Sequence, residues 1–235
     1  MEELMGLVPL NRADHASLRL VGRETMEFTE TAHIATLATA EFADAAPAYP
    51  IVFADNNGRP GPCALLGLDQ GRNQYLMPNG HWLPGVYVPA CIRMYPFLPM
   101  DSGDGTMDIY IYEDFEGWST TEGDPLFEAD GSDTPELART MDFLARGVAA
   151  MARTGDFVDT LMDLGLLRRD RMQVTHSDGT VRVLDDFWAV DEERLRTLDL
   201  AGLARLHDND YLSLIHAHLF SLHHMKRLVA ELADG

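Results

Sequence analysis

The junction between a helical run and an apolar run at Tyr49-Pro50 is the strongest local constraint on this chain. Residues 41–53 read EFADAAPAYPIVF. A residue before proline is pushed out of the α region, so a helix has to end by Tyr49. Pro50 has no N–H to give to a β-ladder and therefore fits the first position of a strand. The apolar residues 51–53 then predict a strand buried on both faces, entered from an alanine-rich helix over residues 32–47.

Further strands are indicated in the first half of the chain and in one later hairpin. The stretches PCALLGL and QYLM predict buried strands, and short strands are expected near residues 7–10 and 17–21. MDIYIYED alternates apolar and polar residues, which is typical of a half-buried strand. Residues 171–190 predict a hairpin, because Asp178-Gly179 is a strong turn signal between two apolar runs.

Helix signals dominate the second half of the chain. Thr134 and Pro135 fit the N-cap and first-turn positions of a helix that runs to about residue 153. Residues 156–165 form another predicted helix, which ends at Gly165. The remaining predicted helices are DEERLRTL, LAGLARLHD and a terminal helix over residues 210–233.

The order of these elements predicts the fold class. Strands come mainly first and helices mainly second, which indicates an α+β fold. We expect an N-terminal mixed β-sheet region packed against a C-terminal helical half. A chain of 235 residues can bury one sizeable core unaided, so we predict a single domain over residues 1–235.

The net charge of −20 at pH 7 restricts the classes of partner. Nucleic acid phosphates and anionic membranes both repel an acidic surface, so we expect neither as a partner. No stretch approaches the roughly 18 apolar residues of a membrane span. Cys63 and Cys91 lie in apolar runs, which predicts buried, reduced thiols. Because the N-terminus is also acidic where a secretory signal would be basic, we predict a cytoplasmic protein.

Some of the histidines have spacings that resemble those of metal ligands. His176-Ser177-Asp178 has the His-x-Asp spacing of a non-haem iron site, but Ser-Asp-Gly is a strong turn signal, and we favour the turn. His216 and His223 are two helical turns apart, about 10 Å, which is too far to share one metal ion. His218 falls in the apolar sector of its helix and is predicted to be a core or interface residue. We therefore predict no metal site.

The proline-rich segment 79–97 offers the best candidate for a ligand pocket. Four prolines between residues 78 and 96 exclude a long helix there. In an irregular segment, aromatic rings and one guanidinium can line a concave site for an anion or an aromatic group. The alternative, which we favour, is a core crossing in which Arg93 pairs with a buried carboxylate such as Glu41. The candidate ligand-binding residues are His81, Trp82, Tyr87, Arg93 and Tyr95.

Several pieces of the chain, read in order, resemble the SapC family, which is named for an S-layer-associated gene of bacteria. The matching pieces are VPLNRADHASLRL, AEFADAAPAYPIVF, ALLGL, NGHWLPGVYVPACIRMYPF, LFEADG, LMDLGLL and LIHAHLFSL. The resemblance implies a link to surface-layer loci and, in other bacteria, to genes near outer-membrane receptors and flavin-dependent halogenases. It brings no particular reaction and no catalytic residue to this chain. Two positions depart from the family pattern, Met94 in place of a basic residue and Arg72 in place of an acidic one.

The function predicted from these observations is a non-enzymatic accessory or binding protein that acts through protein–protein contacts. Its partner would be another protein or further copies of itself. No GxGxxG, P-loop or G-x-S-x-G motif is present. The alternative is a small-molecule-binding protein or an enzyme, for instance of oxygenase type, that uses a pocket formed by residues 79–97. A structural part in surface-layer assembly is a third interpretation, which the family name suggests. The sequence identifies no cofactor.

Overall fold

The computed structural model of the chain has an α+β fold, as the order of sequence signals predicts. It describes residues 6–22, 25–56, 58–103, 106–175, 181–226 and 228.

The helices and strands have the following bounds. The strands are β1 Leu7–Pro9, β2 Arg19–Leu20, β3 Ile34–Thr36, β4 Ile51–Asn56, β5 Arg59–Leu65, β6 Phe97–Asp101, β7 Met107–Tyr112, β8 Trp118–Ser119, β9 Asp124–Pro125, β10 Leu167–Thr175 and β11 Val181–Val190. The α-helices are α1 Arg12–His15, α2 Phe42–Ala45, α3 Ala90–Met94, α4 Pro135–Asp163, α5 Glu192–Arg196, α6 Leu200–Asp208 and α7 Tyr211–Ser221. Short 3₁₀-helices span Glu27–Thr29, Thr39–Glu41 and Leu222–His224.

The chain divides into two compact units. The first unit comprises Met1–Glu24 and Arg93–Ala149, and the second comprises Thr25–Ile92 and Ala150–Gly235. The single domain expected over residues 1–235 stays a prediction.

The first unit is built on an antiparallel three-stranded sheet with the order β1-β7-β6. Strand β7 has the predicted alternation, since Ile109 and Ile111 are buried while the residues between and beside them are half-buried or exposed. Strand β2 pairs with β8 and with β9 in a second, smaller sheet. The core of this unit contains Phe97, Ile109, Ile111, Leu126, Phe127, Leu137 and Leu144.

The second unit is built on a five-stranded sheet with the order β10-β11-β4-β5-β3. Strand β4 begins at Ile51, directly after Pro50, and Ile51, Val52 and Phe53 are all buried. The prediction of a buried strand after Tyr49-Pro50 is therefore confirmed. The predicted hairpin is also confirmed, since β10 pairs antiparallel with β11. Its expected turn at Asp178-Gly179 lies outside the described residues.

The sheets differ from the prediction in strand direction. Every strand pairing within the described residues is antiparallel, so the expectation of a mixed sheet is corrected. The error arose because a continuous apolar run is typical of parallel strands, which are covered on both faces. Here the antiparallel strands β4 and β5 carry such runs because both of their faces lie in the core.

The helix predicted over residues 32–47 is wrong. Residues 34–36 form strand β3, which pairs with β5 through Ile34 and Leu65, and only Phe42–Ala45 are α-helical. Intrinsic helix propensity is a weak preference that tertiary contacts override. Here the gain from adding a strand to the sheet exceeds the preference of the alanines for a helix.

Two helices predicted on either side of Thr154 and Gly155 form one continuous helix, α4. Threonine disfavours helix interiors partly because its hydroxyl competes for backbone groups. In α4, the Thr154 hydroxyl donates to the Ala150 carbonyl at 2.8 Å and accepts from the Thr39 N–H at 2.8 Å. Because the hydroxyl stabilises the existing turn, the helix continues to Asp163. The predicted stop at Gly165 is confirmed by its left-handed φ of 62°.

The shorter predicted elements are formed in part. QYLM does not form a strand and contributes only an isolated bridge between Leu76 and Trp82. The two short helices predicted after residue 190 are α5 and α6. The terminal helix begins as predicted, and α7 then tightens into the 3₁₀-helix Leu222–His224.

Candidate functional site

Trp82 and Tyr87, two of the predicted ligand-binding residues, belong to an aromatic cluster in the second unit. The Trp82 indole N–H donates to the Tyr49 hydroxyl at 2.9 Å, and that hydroxyl donates to the Tyr87 carbonyl. The Tyr75 ring lies 4.5 Å from the Tyr49 ring and 6.3 Å from the Trp82 ring, measured between centroids. Trp82, Tyr49 and Tyr75 are all buried. The polar atoms of these rings are therefore satisfied by the protein itself.

Glu41 is a buried carboxylate beside this cluster, with 8% of the residue exposed. Its Oε1 accepts from the Tyr87 hydroxyl at 2.8 Å and from the Ala90 N–H at 2.7 Å. Its Oε2 accepts from the Ala38 N–H at 2.8 Å. These three hydrogen bonds tie the 3₁₀-helix Thr39–Glu41 to Tyr87 and to the first residue of α3.

The other three predicted ligand-binding residues are described one by one. His81 is exposed in the second unit. Arg93 and Tyr95 belong to the first unit, where the Arg93 guanidinium lies 5.1 Å from the Phe143 ring centroid. The Tyr95 ring packs against Tyr112, 5.2 Å away between centroids. The five-residue pocket stays a prediction, as does the pair of Arg93 with Glu41.

His218 is fully buried and joins two strands of the large sheet. Strands β11 and β4 pair at Trp188 and Phe53, and continuing that register would place Val190 opposite Ile51. The His218 imidazole lies between these two residues and bonds to the backbone of each. Its Nδ1–H donates to the Ile51 carbonyl at 2.8 Å, and its Nε2 accepts from the Val190 N–H at 3.1 Å. Both ring nitrogens are used, and the ring is held in its neutral Nδ1–H form.

The surroundings of His218 explain why its ring is neutral. Burial lowers the pKa of His218 to about 4, against the small opposing effect of its hydrogen bond to Ile51. Ser221, one turn later in α7, accepts from the Ile51 N–H at 2.8 Å and donates to the His218 carbonyl. The expectation that His218 is a core histidine is confirmed. Ser221 was missed, although its spacing of three residues from His218 was visible in the sequence.

A cleft of about 330 Å³ opens beside the base of the β10–β11 hairpin. Its floor is aliphatic, and its rim carries three acidic residues from the start of α5. The lining residues are Arg168, Ala189, Val190, Asp191, Glu192, Glu193, Leu219 and Leu222. Sequence reasoning treated Glu192 and Glu193 only as a helix start and did not foresee the cleft.

Helices α6 and α7 expose large apolar side chains. In α6, Gly202 and Leu206 face the core, yet Leu200 is 86% exposed and Leu203 is 42% exposed. In α7, Phe220 is 69% exposed, and its ring stacks on the His216 ring with centroids 6.3 Å apart. These residues were also missed, although Leu200, Leu203 and Leu206 recur every three residues in the sequence.

The family model described as SapC matches residues 10–228 of the chain. The chain belongs to the SapC family. The matched region includes the aromatic cluster, Glu41, His218 and the cleft, and it confirms the resemblance seen in the sequence. Comparison with curated proteins and with solved structures finds no match.

Metal sites and membrane spans are the remaining candidate features of this SapC-family chain. Within the described parts of the chain, no three His, Cys, Asp or Glu side chains are grouped so as to hold a metal ion. His176-Ser177-Asp178 lies outside those parts. His216 and His223 are exposed, in accordance with their predicted surface positions. None of the described helices has an apolar run long enough to cross a bilayer.

The two cysteines of this SapC-family chain are both free, but only one is buried as predicted. Burial raises the pKa of the Cys63 thiol to about 12. The prediction that Cys91 is buried is wrong, since Cys91 is exposed. The reason is that α3 directs Ile92 rather than Cys91 into the core. Although Cys91 is exposed, the protein around its sulfur, followed by the Glu41 carboxylate, raises the pKa of its thiol to about 12.

Thiol titration of the native protein at neutral pH should modify Cys91 slowly and leave Cys63 untouched. Only the thiolate reacts, so the raised pKa slows Cys91, whereas Cys63 reacts only after unfolding. We expect one slow equivalent from the native protein and a second in denaturant. Cys91→Ser should remove the native phase. Two native equivalents, or a disulfide in protein purified without oxidant, would contradict this prediction.

Proposed function

We propose that this SapC-family chain is a non-enzymatic binding protein that acts through protein–protein contacts. The observation that carries the proposal is the exposure of Leu200 and Phe220, at 86% and 69%, on adjacent helices. A single exposed leucine is ordinary on a protein surface. Leu200 and Leu203, however, lie on one side of α6 whose other side is already in the core. The exposed apolar area of these two leucines is not buried by folding, which favours contact with a partner.

Helix α7 offers a comparable anchor. Aromatic residues are enriched among those that contribute most to interfaces, because one ring buries a large area at low conformational entropy. The Phe220 ring stacks on the His216 ring, a contact that restricts its rotamers. The Phe220 side chain would therefore lose little conformational entropy when a partner covers it.

The aromatic cluster supports a structural role for part of the segment that was considered as a pocket. A ligand site needs polar groups that are free to contact the ligand. The Trp82 N–H donates to the Tyr49 hydroxyl, and the Glu41 carboxylate accepts from the Tyr87 hydroxyl and from two backbone N–H groups. This pattern favours the binding-protein interpretation over the small-molecule alternative.

The proposed setting is the cytoplasm. Two free thiols, one of them exposed, fit a compartment in which cysteines are kept reduced. Cell fractionation tests this assignment directly, and recovery of the protein from a surface or secreted fraction would overturn it.

Affinity capture from the native cell tests the proposed function. The wild-type chain is compared with Leu200→Ser/Leu203→Ser and with Phe220→Ser, each expressed at the same level. We expect a defined protein to be retained by the wild type and reduced about tenfold by at least one variant, since an interface anchor contributes 1.4 kcal/mol or more. Met100→Ser, in the first unit, is the matched control, because Met100 is also exposed and apolar.

Two results would contradict the proposal. The first is that all four proteins retain the same set of partners. The second is that the wild type retains nothing above background. Urea unfolding of each variant shows whether a loss of capture reflects the interface, since exposed substitutions are expected to change stability by no more than about 0.5 kcal/mol.

A further inference from the structure

The cleft beside α5 combines an aliphatic floor with an acidic rim. Ala189, Val190, Leu219 and Leu222 supply the floor. Leu219 and Leu222 reach the cleft from α7 and from the 3₁₀-helix that follows it. A volume of about 330 Å³ lies at the small end of ligand pockets and suits one or two side chains rather than a whole helix.

The charges around the cleft are unbalanced. Its one arginine, Arg168, is paired with Asp170 at 3.0 Å. Glu192 pairs with Arg196 at 2.8 Å, but both side chains are largely exposed and such a pair contributes little. Glu193 forms no ion pair within the described residues. The rim therefore offers carboxylates that an incoming cation can reach.

Part of this acidity has a local explanation. Asp191 caps α5 by accepting from the N–H groups of Glu193 and Arg194, and acids in a first turn favour the helix dipole. The helix dipole places roughly half a positive charge at this end, which is smaller than the charge of the acidic side chains. The aliphatic floor below them has no role in capping, and it is this combination that indicates an occupant.

We propose that this cleft binds an arginine or lysine side chain from a basic segment of a partner protein. The alkyl stem would pack on the floor, near Leu219 and Leu222, while the charged head lies at Glu192 and Glu193, as long cationic side chains do at apolar edges. This inference rests on the proposed function and names the chemistry of the partner. The net charge of −20 attracts a basic segment and opposes association of two copies of this chain.

A pair of short peptides tests the cleft without any knowledge of the partner. The acetylated and amidated pentapeptide Ala-Leu-Arg-Leu-Ala is titrated into the full-length protein and followed by backbone amide NMR. Its analogue with citrulline in place of arginine has nearly the same shape and no charge. We expect the arginine peptide to shift the amide signals of Val190, Glu193 and Leu219. It should bind about fivefold more tightly than the citrulline peptide, since two exposed carboxylate contacts contribute about 0.5 kcal/mol each.

A charge-matched pair of variants locates the binding. Glu192→Gln/Glu193→Gln should weaken binding of the arginine peptide about fivefold and reduce the dependence of its affinity on salt. Glu116→Gln/Glu122→Gln changes the net charge equally at exposed positions of the first unit and should leave the affinity unchanged.

Four outcomes overturn the proposal: no binding of the arginine peptide, equal binding of the citrulline peptide, shifts outside the cleft, or equal weakening by both variant pairs. A concentration-dependent dimer of the chain alone, lost in Glu192→Gln/Glu193→Gln, would assign the cleft to a second copy instead. The peptide titration does not use cell extract or alter Leu200 or Phe220. Its failure is therefore distinguishable from failure of the proposed function.

Discussion

Glu41→Ala should destabilise the second unit by about 4 kcal/mol. The substitution leaves three donors without their acceptor, namely the Ala38 N–H, the Ala90 N–H and the Tyr87 hydroxyl. A buried donor that is left without its acceptor costs about 1–3 kcal/mol, so three donors at the lower end of this range account for the expected loss. The measurement is urea unfolding followed by circular dichroism.

Two further variants separate this network from a general effect of removing a carboxylate. Asp44→Ala removes an exposed carboxylate from α2, close in sequence, and should change stability by no more than about 0.5 kcal/mol. Tyr87→Phe removes one donor and should cost about 1–1.5 kcal/mol in the wild type. In the Glu41→Ala background its cost should largely vanish, because the acceptor is already absent. Additive losses, or a cost of Glu41→Ala no larger than that of Asp44→Ala, would show that the carboxylate does not hold this segment.

The same design applies to the pair predicted from the sequence. If Arg93 pairs with Glu41, Arg93→Met should be strongly destabilising alone and much less so together with Glu41→Gln. Independent effects of the two substitutions would exclude the pair.

His218 should make the protein less stable as the pH falls from 6.5 toward 4. The unfolded chain takes up a proton near the ordinary pKa of 6.5, whereas burial lowers the pKa of the folded form to about 4. Between these values the unfolded state binds more protons, so lowering the pH favours unfolding. A difference of this size corresponds to about 3 kcal/mol, fully available above pH 6.5 and lost by about pH 4.

His218→Gln tests both the hydrogen bonds and the titration. The amide cannot titrate but can donate and accept, so at neutral pH we expect a loss of about 2–4 kcal/mol from imperfect contacts with Ile51 and Val190. The stability difference from the wild type should shrink as the pH approaches 4, because only the wild type loses the histidine contribution. Comparing the two proteins cancels the carboxylates that titrate in the same range.

His216→Gln is the matched control, since His216 lies in the same helix and is exposed. As a substitution at an exposed position, it should change stability at neutral pH by no more than about 0.5 kcal/mol. A constant stability difference between wild type and His218→Gln across this pH range would show that the folded and unfolded states share one histidine pKa.

Local sequence signals predicted those elements that depend on backbone chemistry. Pro50 lacks an N–H and constrains Tyr49, so the start of β4 follows from two residues alone. Gly165 ends α4 because glycine accepts a left-handed φ without strain. The β10–β11 hairpin and helices α5 and α6 were likewise visible, since their turn and cap residues are adjacent in the sequence.

The candidate site was predicted only in part. The sequence singled out Trp82 and Tyr87 as a pocket lining, and they do lie together, but in a cluster completed by Tyr49 and Glu41. Side chains that meet across a distance of 33 or 46 residues leave no periodic signal. Nothing local distinguishes an aromatic ring in a core from one in a pocket, because both need an apolar neighbourhood.

By itself, the sequence determined the α+β class, the SapC family and a net charge of −20 at pH 7. Tertiary structure alone decided that residues 34–36 join the sheet, that α4 continues past Thr154, and that His218 occupies a ladder position between Ile51 and Val190. It also decided which leucines of α6 are left outside the core. The physical reason is that propensity and capping act within a few residues, whereas burial and hydrogen-bond satisfaction depend on groups that only the folded chain brings together.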